Sequence, residues 1–138
     1  MSNRLLVDTN VLIYAIDADS KFHPQAIELI QNTDYDLYTT SKNISEFLVV
    51  LTRTETIKID TIKALDILKE LISNLKVLYP SEDSYQKFID LLGKYRPRGL
   101  RIHDFEIISI ALASGITQIA TQNIDDFKSI KEISIKQP

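Results

Sequence analysis

The sequence of 138 residues contains no cysteine, which excludes disulfide bonds, thiolate zinc sites and a cysteine nucleophile. It also has no apolar run approaching the roughly 20 residues that a membrane-spanning helix requires. Asp8 interrupts the first apolar run after three residues, so the start of the chain lacks the pattern of a secretory signal. Together, these absences predict a cytoplasmic protein.

An excess of positive charge is absent too, because 16 lysines and arginines face 19 aspartates and glutamates, giving a formal net charge of −3. A protein that coats nucleic acid by bulk charge alone is therefore not expected. A nuclease remains compatible with this balance, since its site needs carboxylates and only a local basic patch outside them. The length and the 44% hydrophobic content predict one globular domain over residues 1–138.

Short β-forming segments alternate with helical patterns along the whole chain. This alternation predicts one α/β domain with a central parallel sheet and helices on both of its faces. The first segment runs without polar alternation into Asp8, as expected of a strand that is buried on both sides. The predicted strands cover residues 4–7, 37–40, 75–79, 116–121 and 133–135.

Four further local expectations can be compared with a structure. The helix predicted over residues 61–73 should turn Ile62, Leu65, Leu68 and Ile72 toward the core. A connection is expected over residues 52–60. A helix that is apolar nearly all round should open at His103 and Asp104 and end before Gly115. Residues 122–127 are interpreted as a polar turn.

Three acidic residues follow predicted strands, and a fourth opens the helix that precedes the fourth strand. Asp8 follows the first strand, Glu46 lies at the start of the helix after the second, and Asp104 opens the buried helix. Asp126, or its neighbour Asp125, follows the fourth strand. Because the carboxyl ends of parallel strands share one edge of a sheet, we expect these carboxylates to converge there.

Each acid also has a purely structural interpretation. Asp8 could cap the following helix through the backbone N–H of Asn10 or Val11. Glu46 stands three residues after Asn43 and could complete a capping box. Asp104 could cap its helix or complement the helix dipole, and Asp126 could cap a single turn.

The combination points to a metal site. Four converging carboxylates repel one another and raise each other's pKa, which opposes folding. Mg²⁺ or Mn²⁺ would remove this conflict because these cations prefer carboxylate and water oxygens. The corresponding chemistry is phosphodiester hydrolysis, in which one ion activates a water and a second, about 3.5–4 Å away, stabilises the leaving oxygen.

Four local motifs in this order resemble those of PIN-domain ribonucleases, and most of all the VapC-type toxins of prokaryotic toxin–antitoxin pairs. The resemblance extends from residue 4 to about residue 130. The motifs are Leu5-Leu6-Val7-Asp8-Thr9-Asn10, Ser45-Glu46-Phe47, Arg101-Ile102-His103-Asp104 and Thr121-Gln122-Asn123-Ile124-Asp125-Asp126-Phe127. One departure is Phe105, where the family commonly has alanine after the third acid.

The resemblance implies a three-layer α/β/α sandwich with a parallel sheet of four to five strands. It implies RNA cleavage that depends on Mg²⁺ or Mn²⁺, an antitoxin partner, and a homodimer. Helices within residues 9–33 and 61–73 would supply the apolar surfaces for these protein contacts. Carried over by position, the implied metal-binding and catalytic residues are Asp8, Glu46, Asp104 and Asp126, with Asp125 as the alternate; Asn10 and Thr121 support them, and Arg96, Arg98 and Arg101 are RNA-binding candidates.

The function predicted from these features is that of a metal-dependent endoribonuclease acting as a toxin. One alternative is a PIN nuclease in RNA maturation or turnover that is no toxin, and another is a non-catalytic PIN-fold module that binds RNA or protein. A phosphatase-like enzyme with Asp8 as nucleophile would need a second aspartate at position 10, where the sequence has Asn10.

Overall fold

Five short parallel strands form the central sheet in a computed structural model that describes residues 3–53 and 59–138. Their order across the sheet is β3-β2-β1-β4-β5, and each neighbouring pair is parallel. The first strand in the chain thus lies in the middle, as its uninterrupted apolar run predicts. The strands are β1 (Arg4–Val7), β2 (Asp36–Thr40), β3 (Lys76–Leu78), β4 (Gln118–Ala120) and β5 (Ser134–Lys136).

Seven helices are found in the same part of the chain, most of them connecting one strand to the next. None of these helices is long and apolar enough to cross a membrane. They are α1 (Thr9–Ile16), α2 (His23–Gln31), α3 (Ser41–Arg53), α4 (Thr61–Ile72), α5 (Glu82–Tyr95), α6 (Arg101–Ala113) and α7 (Ile124–Phe127).

The core has two halves, one on each face of the sheet. Along β1, Leu5 and Val7 belong to the half covered by α1 to α4, whereas Leu6 belongs to the half covered by α5 to α7. All three side chains are at most 1% exposed. The predicted parallel α/β/α sandwich is confirmed, because successive strand side chains must point to opposite faces and both faces are covered.

The predicted inner face of α4 is partly wrong. Ile62 is 70% exposed and Leu65 is 37% exposed, while the buried positions are Ala64, Leu68 and Leu71. These three recur at i, i+4 and i+7, so they also form one helical face. The small Ala64 side chain is fully buried in the half of the core that includes α3, whereas the pattern of large apolar residues pointed to the neighbouring stripe.

Other boundaries differ by a few residues. α6 begins at Arg101 rather than His103, so Asp104 lies in its first turn. The polar turn predicted over residues 122–127 contains the short helix α7. α3 continues to Arg53, into the predicted connection over residues 52–60, of which residues 54–58 lie outside the described part.

The end of α6 is as predicted, since Gly115 follows the capping residue with φ of +74°. The guanidinium of Arg4 donates hydrogen bonds to the carbonyl oxygens of Ser114 and Gly115 at 2.7 and 3.0 Å. β1 is thereby joined to the end of α6, which helps fix the position of the buried helix against the sheet.

Candidate metal centre

The carboxyl ends of the three middle strands meet at one edge of the sheet. Val7 pairs with Ala120 on β4, and the Asp8 amide donates to the Ala120 carbonyl oxygen at 3.0 Å. On the other side, Leu6 pairs with Tyr38 of β2, and Thr40 ends that strand. Asp8 therefore stands between the ends of β2 and β4, where open parallel sheets place their ligand sites.

The Asp8 carboxylate accepts four hydrogen bonds. Its Oδ1 atom accepts from the Thr9 amide at 2.9 Å and from Asn43 Nδ2 at 3.3 Å. Its Oδ2 atom accepts from Asn10 Nδ2 at 3.0 Å and from the Thr121 hydroxyl at 2.9 Å. An ionised carboxylate has about four lone-pair positions, so this set orients it fully and favours its charged form.

Burial works against that charge. Asp8 is 6% exposed, and burial raises the pKa of its carboxyl, to which the negative charge of Glu46 contributes as well. The hydrogen bonds from Thr121, Thr9 and Asn10 lower the pKa, but the net direction is upward. Asp8 also caps α1, though through Thr9 rather than the predicted Asn10 or Val11. The cap and a ligand role use the same carboxylate.

Asn10 and Thr121 link the loops that follow β1 and β4. Asn10 Nδ2 donates to the Thr121 hydroxyl at 3.0 Å, and Asn10 Oδ1 accepts from the Gln122 amide at 3.0 Å. Thr121 is fully buried, and its hydroxyl also accepts from the Asn123 amide at 3.0 Å. Both predicted supporting residues thus lie within hydrogen-bond distance of Asp8.

Asn43 is a site residue that the sequence pattern does not predict, because its spacing from Glu46 indicates only a capping box. It is fully buried, and its Nδ2 atom donates to Asp8 and, at 2.9 Å, to the Thr9 hydroxyl. That hydroxyl donates to Glu46 Oε2 at 2.9 Å. The Thr9 hydroxyl and Asn43 therefore connect two of the acids, and α3 begins at Ser41, so no capping box with Glu46 forms.

The sequence did contain one signal for this role. Asn43 stands three residues after Thr40, and its Oδ1 atom accepts from the Thr40 amide at 3.2 Å and hydroxyl at 2.6 Å. An asparagine at this distance after a strand can join the strand end to the next helix. Its contact with Asp8, 35 residues earlier, is set by the packing of α3 against the sheet.

Asp104 reports the convergence of the acids most clearly. Its pKa is raised to about 6, mainly by burial and further by the negative charges of Asp126, Asp8 and Glu46. The positive charge of Arg101 lowers this pKa. Such contributions require each of the other three carboxylates to lie within electrostatic range of Asp104. The structure therefore brings the four predicted acids to one place.

The two adjacent aspartates of α7 face different surroundings. The Asp125 side chain is 89% exposed and pairs with Lys128 at 2.8 Å, which lowers the pKa of the Asp125 carboxyl. Asp126 is partly buried and lies close enough to Asp104 for its charge to raise the Asp104 pKa. Asp126 is therefore the neighbour that is turned toward the other acids, and Asp125 is turned toward solvent.

The three arginines proposed as RNA contacts lie in different settings. Arg101 Nη2 donates to the Asp126 carbonyl oxygen at 2.6 Å, its guanidinium lies 5.8 Å from the centre of the Phe105 ring, and its charge lowers the Asp104 pKa. Arg96 and Arg98 are exposed, and Arg96 has a φ of 51° after α5. Arg101 thus contacts the site itself, and the other two project into solvent near it in the chain.

The donor set fits a hard divalent cation. Three acids raise the pKa of Asp104, and the charge of Arg101 lowers it. Within residues 3–53 and 59–138, no three His, Cys, Asp or Glu side chains are close enough to form a ready-made cage. Mg²⁺ typically keeps several waters and uses one or two protein carboxylates, so a cage of three is not a requirement.

A parallel α/β/α fold with acids at these four positions is characteristic of one class of protein. The chain belongs to the PIN domain family, which it matches over residues 5–133. The resemblance inferred from the four motifs is thereby confirmed. The chain is also 31% identical to Ribonuclease VapC1 of Aquifex aeolicus (strain VF5) over 94 residues. These residues cover 66% of this chain and 62% of that protein. The match thus spans less than two thirds of the relative's length.

Solved structures share the whole fold at lower sequence identity. VapBC2 from Rickettsia felis, bound to a DNA fragment from its promoter, gives a TM-score of 0.74 at 20% identity, with 96% of this chain and 97% of that chain covered. A toxin–antitoxin complex from Klebsiella pneumoniae gives 0.68 at 19% identity, with 94% and 95% covered. At these identities, the likeness shows the fold.

Proposed function

We propose that the chain is a metal-dependent endoribonuclease that hydrolyses RNA phosphodiester bonds and acts as the toxin of a type II toxin–antitoxin pair. The observation that carries the proposal is the convergence of Asp8, Glu46, Asp104 and Asp126 at the edge of the sheet, where Asp126, Asp8 and Glu46 raise the Asp104 pKa. Membership of the PIN domain family and 31% identity to a ribonuclease support it further.

In this proposal, the four carboxylates hold Mg²⁺ or Mn²⁺. A bound divalent cation would supply a water that loses its proton near neutral pH, and its positive charge would offset the negative charge of the phosphodiester. The hydrogen bonds from Thr9, Asn10, Asn43 and Thr121 orient the Asp8 carboxylate toward a cation and oppose the effect of burial on its pKa. Arg101 holds the α7 backbone beside Asp104, so the third and fourth acids keep a fixed spacing.

Cleavage of total cellular RNA by the purified protein tests the proposal. The parent protein should cut RNA in Mg²⁺ or Mn²⁺, and EDTA should abolish the cleavage. Asp8→Asn keeps the size of the side chain but removes a charge that would bind the cation, so we expect at least about a 100-fold loss of rate, more than the loss of an outer-sphere partner causes.

The matched control is Asp125→Asn, because Asp125 is in α7 beside Asp126 but faces solvent. This variant should cut RNA at close to the parental rate. If Asp8→Asn cleaves as fast as the parent, or if EDTA has no effect on the parent, the proposed site is wrong.

We further propose that the antitoxin binds an apolar groove of about 660 Å³ on the face opposite α5 and α6. Its walls come from α1, α2 and α4, the helices for which the resemblance implies protein contacts, and also from α3. VapBC2 and the Klebsiella pneumoniae complex are toxin–antitoxin structures with this fold, which supports a partner of that kind. The apolar lining includes Ile13, Ile16, Ile27, Ile30, Ile67 and Leu71.

Co-expression with a small DNA-binding protein whose gene adjoins the gene for this chain would test the partner. Parent protein should co-purify with it and lose RNA cleavage, whereas Ile27→Lys should abolish co-purification because it places a charge in the groove. Ile62→Lys is the control, since Ile62 is 70% exposed on α4 and does not line the groove. Equal co-purification of Ile27→Lys and the parent would exclude this groove.

We also propose that the protein is a homodimer, formed through α5 instead of the helices of residues 9–33 and 61–73 that the resemblance suggested. On α5, Tyr85 and Ile89 are four residues apart on one face, and they are 64% and 43% exposed. Tyr79, just before this helix, is 68% exposed. Exposed large apolar side chains of this kind are ones that a second copy could cover. Sedimentation should give twice the mass of one chain, and Tyr85→Lys should shift it toward the monomer; a monomeric parent would contradict the proposal.

A further inference from the structure

A second groove, of about 370 Å³, begins at the acidic cluster and follows α3 away from it. Its floor near the acids includes Thr9, which bonds to Glu46, and its opposite wall includes the exposed His103 of α6. The groove lies on the site side of the molecule; it shares Val50 of α3 with the apolar groove among α1 to α4, and its other lining residues differ. Nothing in the acid chemistry itself requires it.

One stripe of α3 forms most of this groove. Lys42, Glu46, Val49 and Arg53 recur at i, i+4, i+7 and i+11, which places them on one helical face. Glu46 is the acid of the cluster, while Lys42 and Arg53 are cationic. Arg53 is about 10 Å beyond Glu46 along the helix axis. A chain of negative charges that runs along α3 through the acidic cluster would therefore meet a cation on each side of Glu46.

We propose that this groove binds the single strand of RNA that continues from the cleaved bond, with Lys42 and Arg53 on its phosphates and Val49 beneath a ribose or base. This inference rests on the proposed ribonuclease function and adds the path of the substrate. RNA is favoured over a protein segment because the groove is continuous with Glu46, where the scissile phosphate must lie, and because its two cations match a polyanion.

The surroundings of Val49 and Lys42 agree with this path. Val49 is 52% exposed, so its methyl groups are available as an apolar contact beside the groove. Lys42 pairs with Glu106 of α6 at 3.5 Å, with side chains 33% and 29% exposed. A partly exposed pair at that separation contributes little to stability. A phosphate can therefore replace Glu106 as the partner of the Lys42 ammonium at low cost.

Steady-state cleavage of a fluorescent single-stranded RNA tests the path. Arg53→Glu should raise KM about tenfold, since it replaces a phosphate contact by a repulsion, while kcat stays within about twofold. The slope of log KM against log salt should also fall by about 0.7, the value for one phosphate contact on a single strand. Lys69→Glu, an equal charge reversal on the exposed face of α4 outside the groove, is the control and should change neither quantity.

Three other results have definite meanings. If the parent cleaves RNA and Arg53→Glu has the parental KM and salt slope, the groove proposal is wrong and the proposed function stands. If Arg53→Glu instead weakens only the binding of the antitoxin, the groove belongs to a protein partner and the RNA path is wrong. If the parent cleaves no RNA, both proposals fail. Arg53→Gln, with a smaller expected rise in KM, replaces Arg53→Glu should the latter not reach the parental thermal midpoint.

Discussion

Asp8 and Asp104 experience the same cluster of charges in different ways. Four hydrogen bonds orient the Asp8 carboxylate and oppose the effect of its burial on its pKa. Asp104 is less buried, and its pKa is raised to about 6 by burial and by three neighbouring acids. The hydrogen-bonded Asp8 is therefore the more firmly oriented of the two acids, and burial raises the pKa of both carboxyls.

At the residue scale, the sequence predicted which acids meet but not how they are held. The order of strands and helices was enough to bring Asp8, Glu46 and Asp104 to one edge. The sequence does not decide between Asp125 and Asp126, because residues 122–127 are interpreted as a turn. The short helix α7 sets which of the two side chains points toward the other acids. The contact of Asn43 with Asp8 depends on how α3 packs, which local spacing does not encode.

Replacement of Asn43 by leucine should destabilise the protein. Asn43→Leu keeps a similar volume, but it leaves the buried Thr40 amide and hydroxyl without their acceptor and removes a donor to Asp8. We expect a loss of about 1–3 kcal/mol in the free energy of unfolding, measured by urea denaturation. Asn74→Leu, at an exposed position, should change it by less than about 0.5 kcal/mol. Equal effects would show that the Asn43 hydrogen bonds do not contribute.

The raised Asp104 pKa predicts a dependence of stability on pH. Between its ordinary value near 3.8 and its folded value of about 6, the folded protein binds more protons at Asp104 than the unfolded chain does. Stability from this group therefore falls as the pH rises through that window. In EDTA, Asp104→Asn should become progressively more stabilising relative to the parent between pH 4 and pH 7, measured by urea denaturation at each pH. An unchanged difference across this range would mean that the Asp104 pKa is not raised.

At the element scale, period and composition located the strands and most helices but not always their inner faces. The predicted inner face of α4 is partly wrong because the small residue Ala64 is fully buried there. The pattern of large apolar residues favoured Ile62 and Leu65, which are exposed. Helix ends were better determined where backbone geometry is special. Gly115 shows this, since its positive φ favours glycine at the end of α6.

Two glycine substitutions should have opposite effects on stability. Gly115→Ala should destabilise the protein by about 1–2 kcal/mol, because Gly115 has a φ of +74° and an added Cβ would lie 3.0 Å from Arg4 Nη2. Gly93→Ala should stabilise it by about 0.5–1 kcal/mol, since Gly93 lies within α5 and no atom is within 4 Å of an added Cβ. Thermal or urea unfolding of both variants measures these changes. A neutral or stabilising Gly115→Ala would contradict the role given to this turn.

At the scale of the whole molecule, the surface has two grooves of different character, one beside the acids and one that is mainly apolar. The carboxyl ends of β2, β1 and β4 carry the acids, and the groove along α3 leads away from them. The apolar groove among α1, α2, α3 and α4 has a lining of a different character. The parallel order of the strands could be predicted from the alternation of elements, and it brings together residues as far apart in the chain as Asp8 and Thr121. The extent of either groove depends on side-chain packing that the sequence pattern does not specify.

The central claim is that the four carboxylates form one site for a divalent cation. The most direct test is the thermal midpoint of unfolding in EDTA and in increasing Mn²⁺ at pH 7. A cation that binds only the folded protein stabilises it by about 2.7 kcal/mol at a concentration 100 times Kd. The midpoint of the parent and of Asp125→Asn should therefore rise with Mn²⁺, while that of Asp8→Asn should rise far less. A parental midpoint that does not respond to Mn²⁺, or an equal rise in Asp8→Asn, would contradict the account.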